Sequence, residues 1–420
     1  MKNTKKLISL AITAAIVSSI FVGCGNSGSS SSSTPVATKE KITLTFATNR
    51  TDMADTTLKD LAAKYTTENP NVTVSVEAIK DTDPVLKTRA AAGELPDVTP
   101  IPGNPDTKDF PLYYVPLDDL GYTDSNLYSY KQGVSTADSK LYGLNSSVNY
   151  TGVVYNKKAF KDAGIDKVPQ TMEDFYAACS KLKAKGIIPL ASNFKDKWPL
   201  GIYSSDLTLA VSQTGNIDYK NTLPTKDLFS DPDGLLYSFN FLRTMKEKGF
   251  LEPDLMSTNW DSMKKDQASG KIAMAYLGTW YPPQVIQNGA NKDDVGMFPF
   301  PGIKALPVGG DYSFAVAKTS KHITEAKAFL KWLWTDSKYA NAVSIASPLK
   351  DAKSTDPALS ELTSFKIPNI ITNNDGPAFT QMIKDSQIDL AQVLQEYITT
   401  KDPQSVIKTY NAKWNAVKKK

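Results

Sequence analysis

The stretch that decides the fold covers residues 42–98, and it opens with the segment ITLTFAT at residues 42–48. Apolar and polar residues alternate there, which predicts a β-strand with one buried face. The next segment, LKDLAAKY at residues 58–65, carries apolar residues at the spacing of one helix face, and alternation returns in VTVSVEA at residues 72–78. A second helical segment ends at Gly93, before a third short strand. Strands and helices that alternate in this order predict parallel pairing with right-handed crossovers.

Such a sheet indicates where a ligand would bind. In open parallel sheets, ligands lie beyond the carboxyl ends of the strands. Asn49 and Arg50 follow the first predicted strand, and the loop at residues 101–106, which contains Asn104, follows the third. We therefore expect these three residues to lie at a cleft. The alternative for each is a solvated loop or turn residue, because Asn is common in turns for backbone reasons.

The composition is that of an ordinary soluble globular protein, and it excludes several classes. The chain has 420 residues, of which 41% are apolar and 22% charged, enough for two or three domains. The formal net charge is +4, and Lys2, Lys5 and Lys6 contribute three of the positive charges. The remainder is nearly neutral, which argues against a nucleic-acid-binding protein. One histidine and two cysteines argue against a zinc site and a disulfide framework, so neither a metal nor a cofactor is expected.

The N-terminus has the pattern of an export signal. A basic start precedes an apolar stretch at residues 7–22, which is short for a membrane span and ends in FVGC at residues 21–24. This ending resembles the bacterial lipobox, which implies cleavage after Gly23 and diacylation of Cys24. Residues 1–23 are therefore expected to be a signal peptide, and residues 24–40 a lipidated cysteine followed by a Ser-rich tether. The alternative is a plain signal peptide with a coincidental cysteine.

The alternation of strands and helices recurs later in the chain. Thr171 is predicted to cap a helix whose buried face includes Phe175 and Cys179, so this cysteine is interpreted as a core residue rather than a reactive thiol. Thr324 is predicted to cap a second helix, and His322 just before it is expected to be a surface or capping residue.

Six segments, taken in order, resemble the family 1 extracellular solute-binding proteins of ABC importers, the sugar-binding class that is similar to maltose-binding protein. They are AAGELPDV (91–98), VVYNKKAF (153–160), PQTMEDF (169–175), SGKIAM to GTW (269–280), FPFPG (298–302) and VAKTSK (316–321). The resemblance implies a fold of class α/β, with two lobes of the periplasmic-binding-protein type, a ligand cleft between the lobes and crossing strands as hinges.

The resemblance also implies where the lobes begin and end. The N-terminal lobe is expected to comprise residues 41–148 and 302–343, and the C-terminal lobe residues 149–301 and 344–420. Crossings between the lobes are expected near Val148–Val154, Pro301–Gly310 and Ser344–Leu349.

A sugar presents hydroxyl groups and an apolar C–H face, so aromatic and planar polar side chains bind it. The resemblance and the loop positions together indicate six such residues: Trp280 and Tyr281 after a Gly-Thr turn, Trp198 in a polar loop, Asn149 at the start of a crossing strand, Asp311 before a later strand, and Asp375 in a C-terminal loop. With Asn49, Arg50 and Asn104, these are the expected ligand-binding residues, and no catalytic residue is expected.

Each of these candidates has a structural alternative. Trp280 could be a core anchor at the edge of a lobe, and Trp198 could support its own loop beside Pro199. Asn149, Asp311 and Asp375 could be turn residues. Trp260 is expected to pack beneath the start of a helix rather than to contact ligand.

The resemblance implies a non-enzymatic receptor, tethered to the outer face of the cell membrane by its lipid, that captures a carbohydrate. An oligosaccharide is expected, with delivery to the permease subunits of an ABC importer. A monomer is expected, with no nucleic-acid partner. Two alternatives stay open at this point. One is a secreted glycoside hydrolase, which needs two carboxylates about 5–10 Å apart. The other is a receptor of the same fold for a non-sugar solute.

Overall fold

The computed structural model describes residues 40–103, 106–212, 219–353, 356–372 and 376–418. Contacts group Lys41–Lys420 into one compact unit. The expected signal peptide and tether, Cys24, Asn104 and Asp375 lie outside the described residues. Among the residues described, no helix combines the length and the apolar character that crossing a membrane requires.

The elements alternate between strands and helices along the described chain. The strands are β1 (Ile42–Thr48), β2 (Val72–Ala78), β3 (Val98–Pro100), β4 (Leu144–Asn145), β5 (Val148–Asn156), β6 (Ile188–Ala191), β7 (Ile272–Gly278), β8 (Val295–Phe298), β9 (Leu306–Gly310), β10 (Ser313–Val316) and β11 (Asn369–Ile371). The α-helices are α1 (Lys59–Glu68), α2 (Thr82–Ala92), α3 (Phe110–Tyr113), α4 (Lys157–Asp162), α5 (Met172–Ala184), α6 (Trp198–Ile202), α7 (Thr208–Val211), α8 (Tyr219–Thr222), α9 (Leu235–Glu247), α10 (Trp260–Ala268), α11 (Pro282–Gln287), α12 (Ile323–Trp334), α13 (Lys338–Ala342), α14 (Pro357–Ser364), α15 (Pro377–Ser386), α16 (Leu390–Thr399) and α17 (Pro403–Ala416).

The first sheet has the strand order β2-β1-β3-β10-β4 within the described residues. β1 pairs in parallel with β2 and β3, which confirms the parallel pairing predicted from residues 42–98. The alternation in β1 buries Leu44 and Phe46, and the Phe46 ring lies 5.8 Å from that of Phe314 and 5.5 Å from that of Phe329. We call the part of the chain built on this sheet the N-terminal lobe.

The second sheet has the order β11-β9-β5-β7-β6, with β8 also paired to β5. It has a separate hydrophobic core, which includes Phe175, Tyr276 and Phe300. Cys179 lies fully buried in this core, as its position on the helix face predicts. We call this part of the chain the C-terminal lobe.

Helix starts follow the sequence signals closely but not everywhere. The Thr171 hydroxyl accepts a hydrogen bond from the Asp174 backbone N–H, so α5 begins where predicted. The prediction for α12 is wrong by two residues. His322, and not Thr324, occupies the N-cap position, because the Ala326 N–H already donates to the His322 carbonyl.

The chain changes sheets at two short segments. β4 belongs to the first sheet and β5 to the second, so residues 146–147 form one crossing; β9 and β10 bracket another at residues 311–312. The boundary between the lobes was expected at residue 302, before β9. The structure places β9 in the second sheet, and the chain changes sheets after it, at residues 311–312. A third passage lies near Ala346, which packs against Val148 and Val308 after the chain leaves Val343 in the N-terminal core.

The buried side chain of Asn145 joins the first two crossings. Its Nδ2 donates to the Ser147 carbonyl at 2.6 Å, and its Oδ1 accepts from the Asp311 N–H at 2.8 Å. The Trp334 indole N–H donates to the Asn145 carbonyl at 2.8 Å. Gly310 packs so closely that a Cβ atom there would come within 2.6 Å of the Asn145 Oδ1. The crossings therefore form one hydrogen-bonded joint rather than separate linkers.

Candidate ligand-binding cleft

The carboxyl ends of the strands of both sheets meet at the crossings. β1 ends at Thr48 in the N-terminal lobe, while β6 and β7 run in parallel and end at Ala191 and Gly278 in the C-terminal lobe. β5 is antiparallel to β7, so its first residues lie at this same edge. This is the edge where open α/β sheets bind ligands.

Four aromatic side chains form a cluster at the edge of the C-terminal lobe. The Trp280 ring lies 5.8 Å from both Trp198 and Trp260, and the Trp198 and Trp260 rings are 4.9 Å apart. Tyr281 packs 5.2 Å from Trp260 and is fully buried. Trp198 is 46% exposed although it packs against two aromatic rings, those of Trp260 and Trp280.

Trp280 lies against the backbone at the end of β7. A Cβ atom at Gly278 would come within 2.3 Å of the Trp280 Nε1. Glycine is therefore required there because the indole lies directly against the strand. The prediction that Trp280 follows a Gly-Thr turn at the site is consistent with this packing, although the same packing also ties Trp280 to the core.

Two carboxylates, the buried Glu252 and the partly exposed Asp196, hold the loop that carries Trp198. Glu252 is 4% exposed and accepts hydrogen bonds from the backbone N–H groups of Ser192 and Asn193 at 3.0 Å. Asp196 accepts from the Trp260 N–H at 2.5 Å, which ties this loop to the start of α10. Lys197 has a φ angle of 64°, in the left-handed region that residues other than glycine rarely adopt. The loop thus stores backbone strain immediately before Trp198.

A polar group occupies the N-terminal lobe beside the crossings. Arg50 binds Asp52 through two hydrogen bonds, of 2.9 and 2.8 Å, and its Nη1 donates to the Val343 carbonyl at 3.2 Å. Burial alone would lower the pKa of Arg50, but the contact with Asp52 outweighs burial and the pKa is raised. Arg50 therefore stays charged and links the end of β1 to the third passage between the lobes.

Asp311 and Asn149 lie together at the second crossing. Burial raises the pKa of the Asp311 carboxyl, and hydrogen bonds from the Tyr312 N–H and the Asn149 side chain, with the charge of Arg50, offset only part of that effect. Asn149 in turn accepts from the Ser147 hydroxyl at 3.0 Å. Residues from three separate chain segments thus form one polar floor.

Charged groups of the two lobes also act on each other across the cleft. Burial would raise the pKa of Asp52, but Arg50 and the charge of Lys264 on α10 lower it below its ordinary value. Lys264 is 8% exposed, pairs with Asp261 at 3.0 Å and lies 5.5 Å from the Trp260 ring. Lys264, on the helix that begins at Trp260, is therefore close enough to the loop after β1 for its charge to act on Asp52.

The structure brings six of the nine candidates into these two groups. Trp198, Trp280 and Tyr281 share the aromatic cluster, and Arg50, Asn149 and Asp311 share the polar floor. Tyr281 is enclosed, and its hydroxyl has no hydrogen-bond partner among the described residues, so it supports the cluster from behind. Asn49 is partly exposed, and its carbonyl accepts a turn hydrogen bond from Thr51.

Sequence reasoning missed Asp206 at this edge and did not foresee the aromatic cluster around Trp260. Trp260 starts a helix as expected, yet it also joins the aromatic cluster through contacts with residues far away in sequence. Asp206 lies in a π-helical turn, Tyr203–Leu207, and accepts a hydrogen bond from Thr151 of β5. Nothing in the surrounding polar sequence distinguishes Asp206 from a solvated helix residue.

Comparison with known proteins identifies the family. Residues 49–339, well over half of the chain, match the family described as bacterial extracellular solute-binding protein. The chain belongs to this family.

Relatives of this solute-binding protein carry sugar-binding names. It is 30% identical over 349 residues to the multiple sugar-binding protein of Streptococcus mutans, a match that covers 80% of each chain. It is 25% identical over 343 residues to the melibiose/raffinose/stachyose-binding protein MelE of Bacillus subtilis, covering 78% of each chain.

Solved structures confirm the two-lobe α/β fold of the solute-binding protein. Two binding proteins from Bifidobacterium animalis subsp. lactis are each 27% identical to it, and each match covers 90% of this chain and 94% of the other. One belongs to an ABC transporter and was solved with mannobiose, at a TM-score of 0.76. The other is described as specific for manno-oligosaccharides and was solved with mannotriose, at a TM-score of 0.77.

The raised pKa of the Asp311 carboxyl predicts a distinctive pH dependence. A raised carboxyl pKa means that the folded state binds the proton more tightly, so this contribution to stability is present in acid and is lost as the pH rises through the folded pKa. Asp311→Asn should therefore gain stability relative to the parent as the pH rises above about 4, the ordinary range of the carboxyl, as measured by denaturant unfolding at each pH.

Asp97→Asn is the matched control with the opposite sign. Burial would raise the pKa of Asp97, but hydrogen bonds from Ser320 and Thr45 lower it. This variant should therefore be less stable than the parent at neutral pH, and the difference should shrink as the pH falls below about 4. The raised pKa of Asp311 would be contradicted if the stability of Asp311→Asn minus that of the parent stayed constant or decreased as the pH rises.

Proposed function

We propose that this solute-binding protein captures an oligosaccharide and delivers it to the permease of an ABC importer. The observation that carries the proposal is the exposed Trp198 beside Trp280 at the strand edge where Arg50, Asn149 and Asp311 form the polar floor. The relatives named for sugars and the oligosaccharide complexes of similar structures support the same ligand class.

The two groups suit the two surfaces of a sugar. An indole face carries negative charge and attracts the weakly positive C–H face of a pyranose, in addition to the apolar area that stacking hides. Carboxylate, amide and guanidinium groups are planar and can hydrogen-bond adjacent hydroxyls in pairs. Among the candidates, Trp198 and Trp280 would provide stacking surfaces, and Asn49, Arg50, Asn149 and Asp311 would provide polar contacts. Asn104 and Asp375, which lie outside the described residues, remain proposed polar contacts.

The rival functions differ in what they do with a sugar. A glycoside hydrolase would cleave it, whereas a receptor returns it unchanged. A receptor for a non-sugar solute would ignore it. The family is one of transport proteins, so we propose no catalysis. The purified protein should leave chromogenic glycosides intact while it binds intact oligosaccharides.

We also propose that Cys24 anchors the protein to the outer face of the cell membrane. The apolar stretch at residues 7–22, the lipobox-like ending at Cys24 and the Ser-rich residues after it support this proposal. A diacylated cysteine supplies two chains, and stable anchoring takes two such hydrophobic signals. The receptor would then work as a monomer near its permease.

Replacement of Cys24 tests the anchor. Cys24→Ala should abolish lipid attachment, so most of the protein should appear in the medium or remain unprocessed, as measured by fractionation of cells that express the full chain. Cys179→Ala is the matched control, because this thiol is buried in the core and should not affect localisation. A processed Cys24→Ala protein that stays on membranes in the parental amount would contradict the proposal.

Replacement of Trp198 tests the sugar site. A thermal-shift screen with mannotriose, raffinose and stachyose should first show binding, because a ligand at 100 times its dissociation constant stabilises by about 2.7 kcal/mol. Trp198→Ala should then weaken binding of the tightest of these ligands by about 2 kcal/mol, or roughly thirtyfold in the dissociation constant, as measured by calorimetry. Since Trp198 is half exposed, the melting temperature without ligand should stay near that of the parent.

Two controls separate a binding role from a folding role. Trp332→Ala removes a tryptophan whose Nε1 donates to Glu68 in the N-terminal lobe, so it should cost stability and leave affinity unchanged. Gly278→Ala should displace the Trp280 indole and weaken binding, whereas Gly201→Ala, which has open space around it, should not. Parental affinity in both Trp198→Ala and Gly278→Ala would contradict the proposed stacking surface.

A further inference from the structure

The helical segment that begins at Trp198 contains an irregular turn. It consists of α6 (Trp198–Ile202), the π-helical turn Tyr203–Leu207 and α7 (Thr208–Val211). π-turns are rare and frequently occur at functional sites, because the extra residue in the turn redirects a side chain. Asp206 is the acidic residue of this turn, and it is partly exposed.

Contacts place the Asp206 carboxylate over the start of the central strand. Its Oδ2 accepts from the Thr151 hydroxyl at 2.5 Å, and its Oδ1 accepts from the Ser205 hydroxyl at 2.9 Å. Burial raises the pKa of Tyr276 well above its ordinary value, and the charge of Asp206 raises it further, so the carboxylate also lies near this ring.

Strand register puts Asp206 beside the Trp280 stacking surface. Thr151 of β5 pairs with Gly278 of β7, and the Trp280 indole lies against Gly278. Side chains that are directly opposite in a sheet lie on one face. The carboxylate held by Thr151 and the indole held over Gly278 therefore occupy the same face at the cleft edge.

The same face of β5 also carries Asn149, which acts on the Asp311 carboxyl of the polar floor. Asn149 is two residues before Thr151, so their side chains point to the same side about 7 Å apart along the strand. The Asn149 side chain lowers the pKa of the Asp311 carboxyl, and the Thr151 hydroxyl donates to Asp206. Two neighbouring positions on one face of β5, Asn149 and Thr151, thus lie next to the carboxylates of Asp311 and Asp206, beside the aromatic cluster.

We propose that Asp206 is a ligand-binding residue of the cleft, positioned by Thr151, and that it makes the floor suited to a neutral, hydroxyl-rich ligand rather than an anionic one. This inference rests on the proposed sugar-binding function and names a residue and a ligand class within it. Ionised carboxylates only accept hydrogen bonds, so a ligand between Asp206 and Asp311 must donate protons, as sugar hydroxyls do. Bonds to an ionised acceptor are about twice as strong as neutral ones.

Arg50 and Lys264 do not reverse this preference for a neutral ligand over an anionic one. Arg50 is bound by Asp52, and Lys264 is bound by Asp261. A carboxylate on the ligand would meet Asp206 and Asp311 at close range, where like charges repel. Thr151 acts through Asp206 by holding one carboxylate oxygen, so it is a positioning residue.

The test compares isosteric variants by calorimetry at pH 7, with whichever of mannotriose, raffinose and stachyose binds the parent most tightly. Asp206→Asn should weaken binding at least about tenfold, the factor that corresponds to about 1.4 kcal/mol, while its melting temperature stays near the parent's. Thr151→Val should weaken binding by a smaller factor. Asp162→Asn, which removes a surface partner of Lys158, should bind like the parent.

The outcomes separate this inference from the proposed function. A parent that binds none of the three sugars would overturn the proposed function and this inference with it. A parent that binds, with Asp206→Asn within twofold of it, would overturn only the inference. Parental affinity in Thr151→Val would overturn the positioning role. Tighter binding of trigalacturonate than of the neutral sugars by the parent would overturn the assigned ligand class.

Discussion

The side-chain amide of Asn145 is the contact on which the arrangement of the two lobes depends. It bonds to the backbone of both short crossings, and Trp334 bonds to its carbonyl from the N-terminal core. The Asn145 amide oxygen accepts a hydrogen bond from the Asp311 N–H, and the Asp311 carboxyl belongs to the polar floor. The hinge and the polar half of the cleft are therefore built from the same residues. A ligand that contacts this floor would act directly on the joint between the lobes.

The cleft edge breaks several local rules that the two cores obey. Trp198 leaves nearly half of its surface exposed, Lys197 adopts a left-handed conformation, and Asp311 carries a carboxyl whose ionisation burial disfavours. Each feature costs stability in the ligand-free protein. Natural proteins accept such costs at functional sites. Their concentration at one edge, with Glu252 and Asp196 supporting the loop from beneath, argues that this edge was shaped for a ligand.

The sequence allowed prediction of what depends on local pattern. Alternation identified β1 and its parallel partner β2, and the cap at Thr171 was correct. Long-range pairing was harder. β9 joins the C-terminal lobe through antiparallel contacts with β5, which leave no mark in its own sequence. Asp206 was missed because a π-turn, rather than a motif, brings it to the cleft.

The central claim is that sugar binding and closure of the two lobes form one event around the joined crossings. Small-angle X-ray scattering tests it most directly, with the protein measured alone and then saturated with the sugar that calorimetry identifies. A hinge that closes on its ligand predicts a smaller radius of gyration in the saturated sample. An unchanged radius at verified saturation would contradict the claim, because the crossings would then act as a rigid connection rather than as a hinge.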